Sequence, residues 1–186
     1  MQGIRDDHWK VRQESIRAAK QLKLKDAVPF LIFRASTDAE KVIKDESYAA
    51  IAAINTAEGN KFLIEQIQDK KLSDPSKTKI VEVLMREGYA GESEILAIAE
   101  ETLADDKRKQ LRYTIGKEFA KKENAKYEDI CLKFLQSKDA TTISLGIDIY
   151  TKNKFNSAEA VMRSLYEDKK TNASVRARIQ KILKLE

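Results

Sequence analysis

Apolar residues recur along the chain at a nearly constant interval, in two interleaved series. The first series has steps of 31, 38, 31, 32 and 32 residues and consists of Val11, Val42, Ile80, Leu111, Ile143 and Val175. The second series falls between these positions with steps of 32, 33, 35 and 30 residues and consists of Leu31, Leu63, Leu96, Cys131 and Val161. Around most of these positions, further apolar residues follow at helical spacing. Two interleaved series predict a repeated pair of helices, and therefore a solenoid rather than a compact globule.

Short polar residues, glycine and proline divide this pattern into eleven predicted helices. The first helices of the pairs are predicted at about 8–23, 38–55, 75–88, 106–122 and 140–153, with a last unpaired helix at 172–184. The second helices are predicted at about 27–36, 57–68, 92–103, 125–136 and 158–167. The resulting repeats cover about 7–36, 37–68, 74–103, 105–136 and 139–167, followed by a terminal helix over 171–184. Because no glycine-rich linker interrupts the chain, residues 1–186 are predicted to form a single domain.

Several of the residues at these positions resemble the short bacterial form of the HEAT repeat. The resemblance rests on Asp7-x-Trp9-x-Val11-Arg12, on Asp26-Ala27-Val28-Pro29-Phe30-Leu31 and on Asp38, and it returns in Leu111-Arg112 and Val175-Arg176. It implies an all-α fold, a right-handed α-α superhelix of about five helix pairs plus a terminal helix.

The resemblance also implies a role for the arginine of this element, which in such repeats often pairs with a neighbouring aspartate. Arg12, Arg112 and Arg176 occupy that position here. In the second, third and fifth repeats the position holds Ile43, Val81 and Ser144, so we expect any polar ladder to be interrupted.

The charge of the chain changes sign along its length. The net charge is +4 over residues 1–36, −6 over 37–104 and +7 over 105–186, which sums to +5. A surface that follows nucleic-acid phosphates needs a continuous basic stripe, so this distribution does not favour nucleic acid as the partner. The densest basic segment comprises Lys107, Arg108, Lys109, Arg112, Lys117, Lys121 and Lys122, and it is interpreted as a solvated helix surface.

The chain offers little material for catalysis or metal binding. His8 is its only histidine and Cys131 its only cysteine, nearly four repeats apart. Ordinary zinc sites need several such ligands, and no glycine-rich phosphate loop is present. We therefore predict no enzyme activity, no catalytic or metal-binding residues and no cofactor. Two enzyme alternatives rest on fold analogy alone: alkylpurine DNA glycosylases and bilin lyases, both built from HEAT-like repeats.

No stretch approaches the roughly 20 apolar residues of a membrane span, and the N-terminal segment lacks the apolar region of a signal peptide. These features predict a cytoplasmic protein without a membrane span, whereas the oligomeric state is left open.

The predicted binding surface comes from the second helices, which line the concave side in solenoids of this type. Residues two before and two after the apolar position should point away from the core. The predicted partner-binding residues are Phe33, Lys61, Glu65, Glu94, Ile98, Lys133 and Arg163. Phe33 and Ile98 are the apolar members, and we expect their replacement by alanine to weaken binding with little loss of stability.

The sequence therefore predicts a non-enzymatic scaffold or adaptor that binds a protein partner. The alternative is a nucleic-acid-binding protein related in architecture to the glycosylases, which would show salt-dependent affinity for duplex DNA.

Overall fold

The computed structural model describes residues 1–88 and 91–186, and helices account for nearly all of the secondary structure in these residues. The first helices of the pairs are α1 (Trp9–Gln21), α3 (Lys41–Ile54), α5 (Asp74–Glu87), α7 (Lys109–Phe119) and α9 (Ala140–Asn153). The second helices are α2 (Val28–Thr37), α4 (Ala57–Gln68), α6 (Glu92–Leu103), α8 (Glu128–Leu135) and α10 (Asn156–Glu167). The last helix is α11 (Ala173–Leu183). Eleven α-helices and no strands in the described residues confirm the all-α fold class.

Local capping groups explain why most helices begin and end close to the predicted positions. The side chain of Thr56 accepts a hydrogen bond from the backbone N–H of Gly59 at 3.0 Å, which satisfies a free donor at the start of α4. At the end of α5, Gly88 has a φ of 74°, in the left-handed region that favours glycine. These signals act over a few residues, so they can be recognised in the sequence.

Three helices begin about three residues later than predicted, and the first of them is α3, which starts at Lys41 rather than at about 38. Asp105 and Asn124 act as caps, but they cap the short 3-10 helices Asp106–Arg108 and Ala125–Tyr127. As a result, α7 and α8 begin about three residues later than predicted. The remaining 3-10 helices are Gln2–Arg5 and Lys25–Ala27.

The chain divides into two compact units, residues 1–95 and 96–186, and each is described by itself. In unit 1, α3 packs between α1 and α5, and α2 and α4 pack against each other and against α3. The core contains Leu31, Ile51, Leu63 and Ile80, none of which has solvent exposure. The prediction of a single domain over 1–186 remains a prediction.

In unit 2 the first helices again pack against one another. Helix α9 packs against both α7 and α11, while α8 packs against α9 and α10. A glycine makes the close approach of α8 and α9 possible, because a Cβ on Gly146 would lie 2.9 Å from the backbone nitrogen of Leu135. The rings of Phe119 and Tyr127 stack at 4.4 Å between centroids and are fully buried.

Four members of the apolar series do not occupy the core, which corrects the sequence prediction. Val11 and Val42 are 42% and 39% exposed, and the buried faces of α1 and α3 include Ile16 and Ile43 instead. Leu96 and Val161 are only half-buried. Their places in the core are taken by Ile95, Ala99, Ala158 and Met162. One residue turns the direction of a side chain by 100°, so a shift by one position in an apolar pair changes which residue is buried.

The expected pair between the repeat arginine and an aspartate is formed in unit 1. Arg12 and Asp38 are 8% and 3% exposed, and they meet through Nη2–Oδ1 and Nε–Oδ2 distances of 2.8 Å. Nη1 of Arg12 donates to the carbonyl oxygens of Asp6 and Asp7, both at 2.9 Å. The guanidinium thereby joins the N-terminal segment, α1 and the start of α3.

Candidate functional site

The outer surface of α2 carries the most exposed aromatic side chain of the predicted binding surface. Phe33 is 58% exposed, as the sequence predicts, and Pro29 is exposed one turn before it. The guanidinium of Arg34 lies 5.5 Å from the centroid of the Phe33 ring. Arg34 is held in place because its Nε donates to the carbonyl oxygen of Ile4 at 2.8 Å. The Phe33 ring is therefore supported on one side and open to solvent elsewhere.

Helix α4 packs beside α2 and adds charged groups in unit 1. Lys61 and Glu65 are exposed, and their charged atoms lie 3.9 Å apart. An exposed pair at this distance contributes little to stability, so both charges remain accessible to a partner. Pro29, Phe33, Lys61 and Glu65 are called the unit 1 face below. Glu94 is half-buried at the start of α6.

The corresponding surface of unit 2 consists of charged side chains that pair with one another. Lys133 lies 2.6 Å from Asp129 and 2.9 Å from Glu100, and hydrogen bonds to these carboxylates raise the pKa of Lys133. Glu159 lies 2.8 Å from Arg163, and the hydrogen bond from Arg163 lowers the pKa of Glu159. Oppositely charged residues four positions apart thus form pairs on α4, α8 and α10.

The predicted exposure of Ile98 is wrong. Ile98 is 4% exposed, and it belongs to a buried stripe of α6 with Ile95, Ala99 and Thr102. The prediction took Leu96 as the buried position, whereas Ile95 is fully buried and Leu96 half-buried. Ile95 and Leu96 are both apolar, so the sequence pattern does not show which of the two is buried. We therefore exclude Ile98 from the candidate surface.

The single histidine and the single cysteine of the chain lie in different units and differ in exposure. His8 is exposed at the start of α1 in unit 1. Cys131 is fully buried in unit 2, where its thiol donates to the carbonyl oxygen of Gly146 at 3.3 Å. Burial raises the pKa of Cys131 to about 12, so the reactive thiolate is scarce at neutral pH.

Residues 1–88 and 91–186 contain neither a candidate metal-ligand cluster nor a candidate membrane-spanning helix. In these residues, no group of three or more histidine, cysteine, aspartate or glutamate side chains is placed to hold a metal ion. None of the helices in the same residues combines the length and the apolar character that crossing a bilayer requires.

Several basic side chains of the densest basic segment form ion pairs with acidic side chains. Lys117 lies 3.3 Å from Asp148, Lys121 pairs with Glu118, and Arg108 lies 3.4 Å from Glu101. These pairs reduce the positive potential available to a phosphate backbone.

A cleft in unit 2 brings together residues that the sequence prediction did not group. It has a volume of about 660 Å³ and lies between the end of α6, the start of α7 and the segment that joins α8 to α9. Its charged lining residues are Asp106, Lys109, Arg112, Lys133, Lys138 and Asp139. The sequence analysis identified Arg112 as the arginine of the Val-Arg element, the apolar residue followed by arginine that recurs in Val11-Arg12, Leu111-Arg112 and Val175-Arg176. No pattern in the sequence near Arg112 indicated that these three segments leave a space around its side chain.

Asp139 lines this cleft, and its carboxyl group is ionised at neutral pH. Burial alone would raise its pKa, but hydrogen bonds from the Thr142 hydroxyl and backbone N–H outweigh that effect. The positive charges of Lys109 and Arg112 add to the shift, and the pKa of Asp139 is lowered overall.

The helix pairs of both units define an all-α protein of the HEAT-like helical-repeat class. A family model described as Spirochaete HEAT repeat protein matches residues 1–182, and the chain belongs to that family. This confirms the bacterial HEAT-like resemblance of the sequence. A search of curated proteins found no match.

Proposed function

We propose that this HEAT-repeat protein is a non-catalytic scaffold that binds a protein partner through the unit 1 face. The observation that carries the proposal is the 58% exposure of Phe33 on α2, a second helix. Among the described residues, it is the one large apolar side chain on a second helix that is exposed. Aromatic side chains in such positions frequently anchor protein interfaces.

The surroundings of Phe33 support this role. The Arg34 guanidinium lies 5.5 Å from the centroid of the ring, and more than half of the Phe33 surface remains available for a partner to cover. Lys61 and Glu65 are exposed charges on the neighbouring helix, and charges of this kind form the polar rim around an apolar anchor in many interfaces.

Site-specific photo-crosslinking tests the proposal. A photoreactive phenylalanine analogue at position 33 should form a discrete adduct with a protein from an extract of the source cells. Phe33→Ala should weaken the affinity for the protein identified by about 30-fold, the effect of a ~2 kcal/mol anchor. Its free energy of unfolding should stay within about 0.5 kcal/mol of the wild type, as is usual for surface changes.

Leu22 provides the matched control because it is 69% exposed but lies just after α1, outside the unit 1 face. An analogue at position 22 should not give the same adduct, and Leu22→Ala should retain the partner. The proposal fails if Phe33→Ala binds that partner as tightly as the wild type. A gel-shift titration with duplex DNA at low salt tests the nucleic-acid alternative, which requires a salt-dependent shift.

A further inference from the structure

Arg112 and Arg12 occupy the same position of the Val-Arg element but have different surroundings. An aspartate follows Arg12 by 26 residues and Arg112 by 27 residues, at the start of the next first helix in each case. In unit 1, Asp38 and two backbone carbonyl oxygens surround the guanidinium of Arg12. Nη1 and Nη2 of Arg12 are therefore hydrogen-bonded within the protein, and its Nε forms an ion pair with Asp38.

In unit 2 the corresponding residues, Arg112 and Asp139, do not form a hydrogen-bonded pair. Nη1 of Arg112 donates to the carbonyl oxygen of Thr102, and Nη2 lies 3.7 Å from Oδ1 of Asp106, beyond hydrogen-bond distance. Oδ2 of Asp139 instead accepts from the Thr142 N–H at 2.9 Å. Both Arg112 and Asp139 line the 660 Å³ cleft.

Arg112 has few hydrogen-bond acceptors within the protein. The residue is 2% exposed, and a guanidinium has five N–H donors. Among the described residues, the carbonyl oxygen of Thr102 is the single acceptor within hydrogen-bond distance. Buried charged groups are normally paired and hydrogen-bonded, because leaving their donors unsatisfied is unfavourable.

The rest of the lining favours a negatively charged group. Lys133 is already paired with Asp129 and Glu100, and the other lining residues are three basic and two acidic side chains, a net charge of +1. Lys109 lies between the two carboxylates, 3.6 Å from Asp106 and 3.5 Å from Asp139, and Lys138 is exposed at the rim. A carboxylate matches the planar fork of the Arg112 guanidinium, which can donate to both carboxylate oxygens.

A smaller cavity of about 190 Å³ shares Lys109, Arg112 and Asp139 with the cleft. It is also lined by Leu145 and by Tyr113, which is 43% exposed. A side chain next to the bound carboxylate would find an aromatic contact there. This combination suits a segment of polypeptide better than an isolated small anion.

We propose that the cleft binds an acidic peptide segment, with Arg112 donating to one aspartate or glutamate carboxylate and Lys109 and Lys138 attracting its charge. The inference rests on the proposed function in one respect, since the segment would belong to a protein partner. It concerns a different surface from the unit 1 face, so the two can be tested separately.

The test is an NMR titration of the isotopically labelled full chain with N-acetyl-tetraglutamate amide, alongside the tetraglutamine peptide and inorganic phosphate. The glutamate peptide should shift the Arg112 Nε–H resonance and the backbone amides of residues 103–112 and 136–142. The tetraglutamine peptide should leave these resonances unchanged. Arg112→Lys should weaken the binding of the glutamate peptide by about tenfold, because a charge-assisted bidentate contact is lost.

Lys138→Glu tests the proposal without changing a buried group. It should weaken peptide binding at least as much as Arg112→Lys at low salt, whereas Lys126→Glu, at an exposed lysine outside the cleft, should have little effect. The proposal is overturned if the glutamate peptide causes no saturable shifts, if phosphate binds more tightly than the peptide, or if Lys126→Glu and Lys138→Glu weaken it equally.

Phe33→Ala separates this inference from the proposed function. That variant should bind the glutamate peptide like the wild type while losing the cross-linked partner. If Phe33→Ala loses the partner but the protein does not bind the glutamate peptide, only the proposed peptide site in the cleft is refuted. If the protein binds the glutamate peptide but no partner is cross-linked through position 33, the proposed function of the unit 1 face is refuted instead.

Discussion

Replacing Asp38 with alanine should strongly destabilise unit 1. The Asp38 carboxylate is completely buried, and two nitrogens of Arg12 lie 2.8 Å from its oxygens. It also accepts the backbone N–H of Glu40 at 3.0 Å and lies 3.5 Å from Nη1 of Arg34. Removal of the carboxylate leaves the charge of Arg12 buried without its counter-ion.

The size of the effect follows from that burial. Breaking a buried ion pair by removing one partner destabilises proteins by about 3–5 kcal/mol. An exposed pair contributes about 0–1 kcal/mol, so Glu65→Ala, which breaks the exposed Lys61–Glu65 pair, is the matched control. Because whole domains are stable by only about 5–15 kcal/mol, Asp38→Ala should remove a large share of the stability of unit 1.

Urea denaturation provides the assay, and the position of the single tryptophan helps to localise the effect. Trp9 lies in α1 of unit 1, so its fluorescence reports the unfolding of that unit. The midpoint followed by fluorescence should fall markedly for Asp38→Ala and remain nearly unchanged for Glu65→Ala. The double variant Arg12→Met, Asp38→Leu should recover much of the loss, since neither charge is then buried.

The reasoning would be refuted if Asp38→Ala lowered the free energy of unfolding by less than about 1 kcal/mol. That value is no larger than the contribution of an exposed pair and would mean that solvent reaches Arg12.

Three further predictions concern unit 2. Ile98→Ala should lower the free energy of unfolding by about 2–5 kcal/mol in urea denaturation, because this side chain is 4% exposed. Cys131 should react with a thiol reagent at neutral pH only after denaturation, since burial raises its pKa to about 12; rapid labelling of the folded protein would contradict this. The lowered pKa of Asp139 means that its ionised form stabilises the folded state above the unfolded pKa of 3.8, and that this contribution disappears as the pH falls through the lower folded pKa. The difference in urea stability between the wild type and Asp139→Asn should accordingly decrease during acidification below about pH 4.

The apolar pattern predicted the exposure of some side chains of the candidate surface but not of others. Phe33 was predicted to be exposed because it lies two residues after Leu31, and Leu31 is indeed fully buried. The same rule failed for Ile98, because Leu96 is not the fully buried position of α6. The difference is one of rotation: where two neighbouring residues are apolar, helical periodicity does not fix which of them faces the core.

The sequence by itself determined the class of fold and the order and approximate limits of the helices. These properties depend on apolar spacing within one helix and on caps such as Thr56 and Gly88, which act over a few residues. Only the tertiary structure decided that Arg12 is enclosed by an aspartate whereas Arg112 faces a cleft. The fate of each arginine depends on where three separate segments place their oxygen atoms, and sequence spacing does not specify those distances.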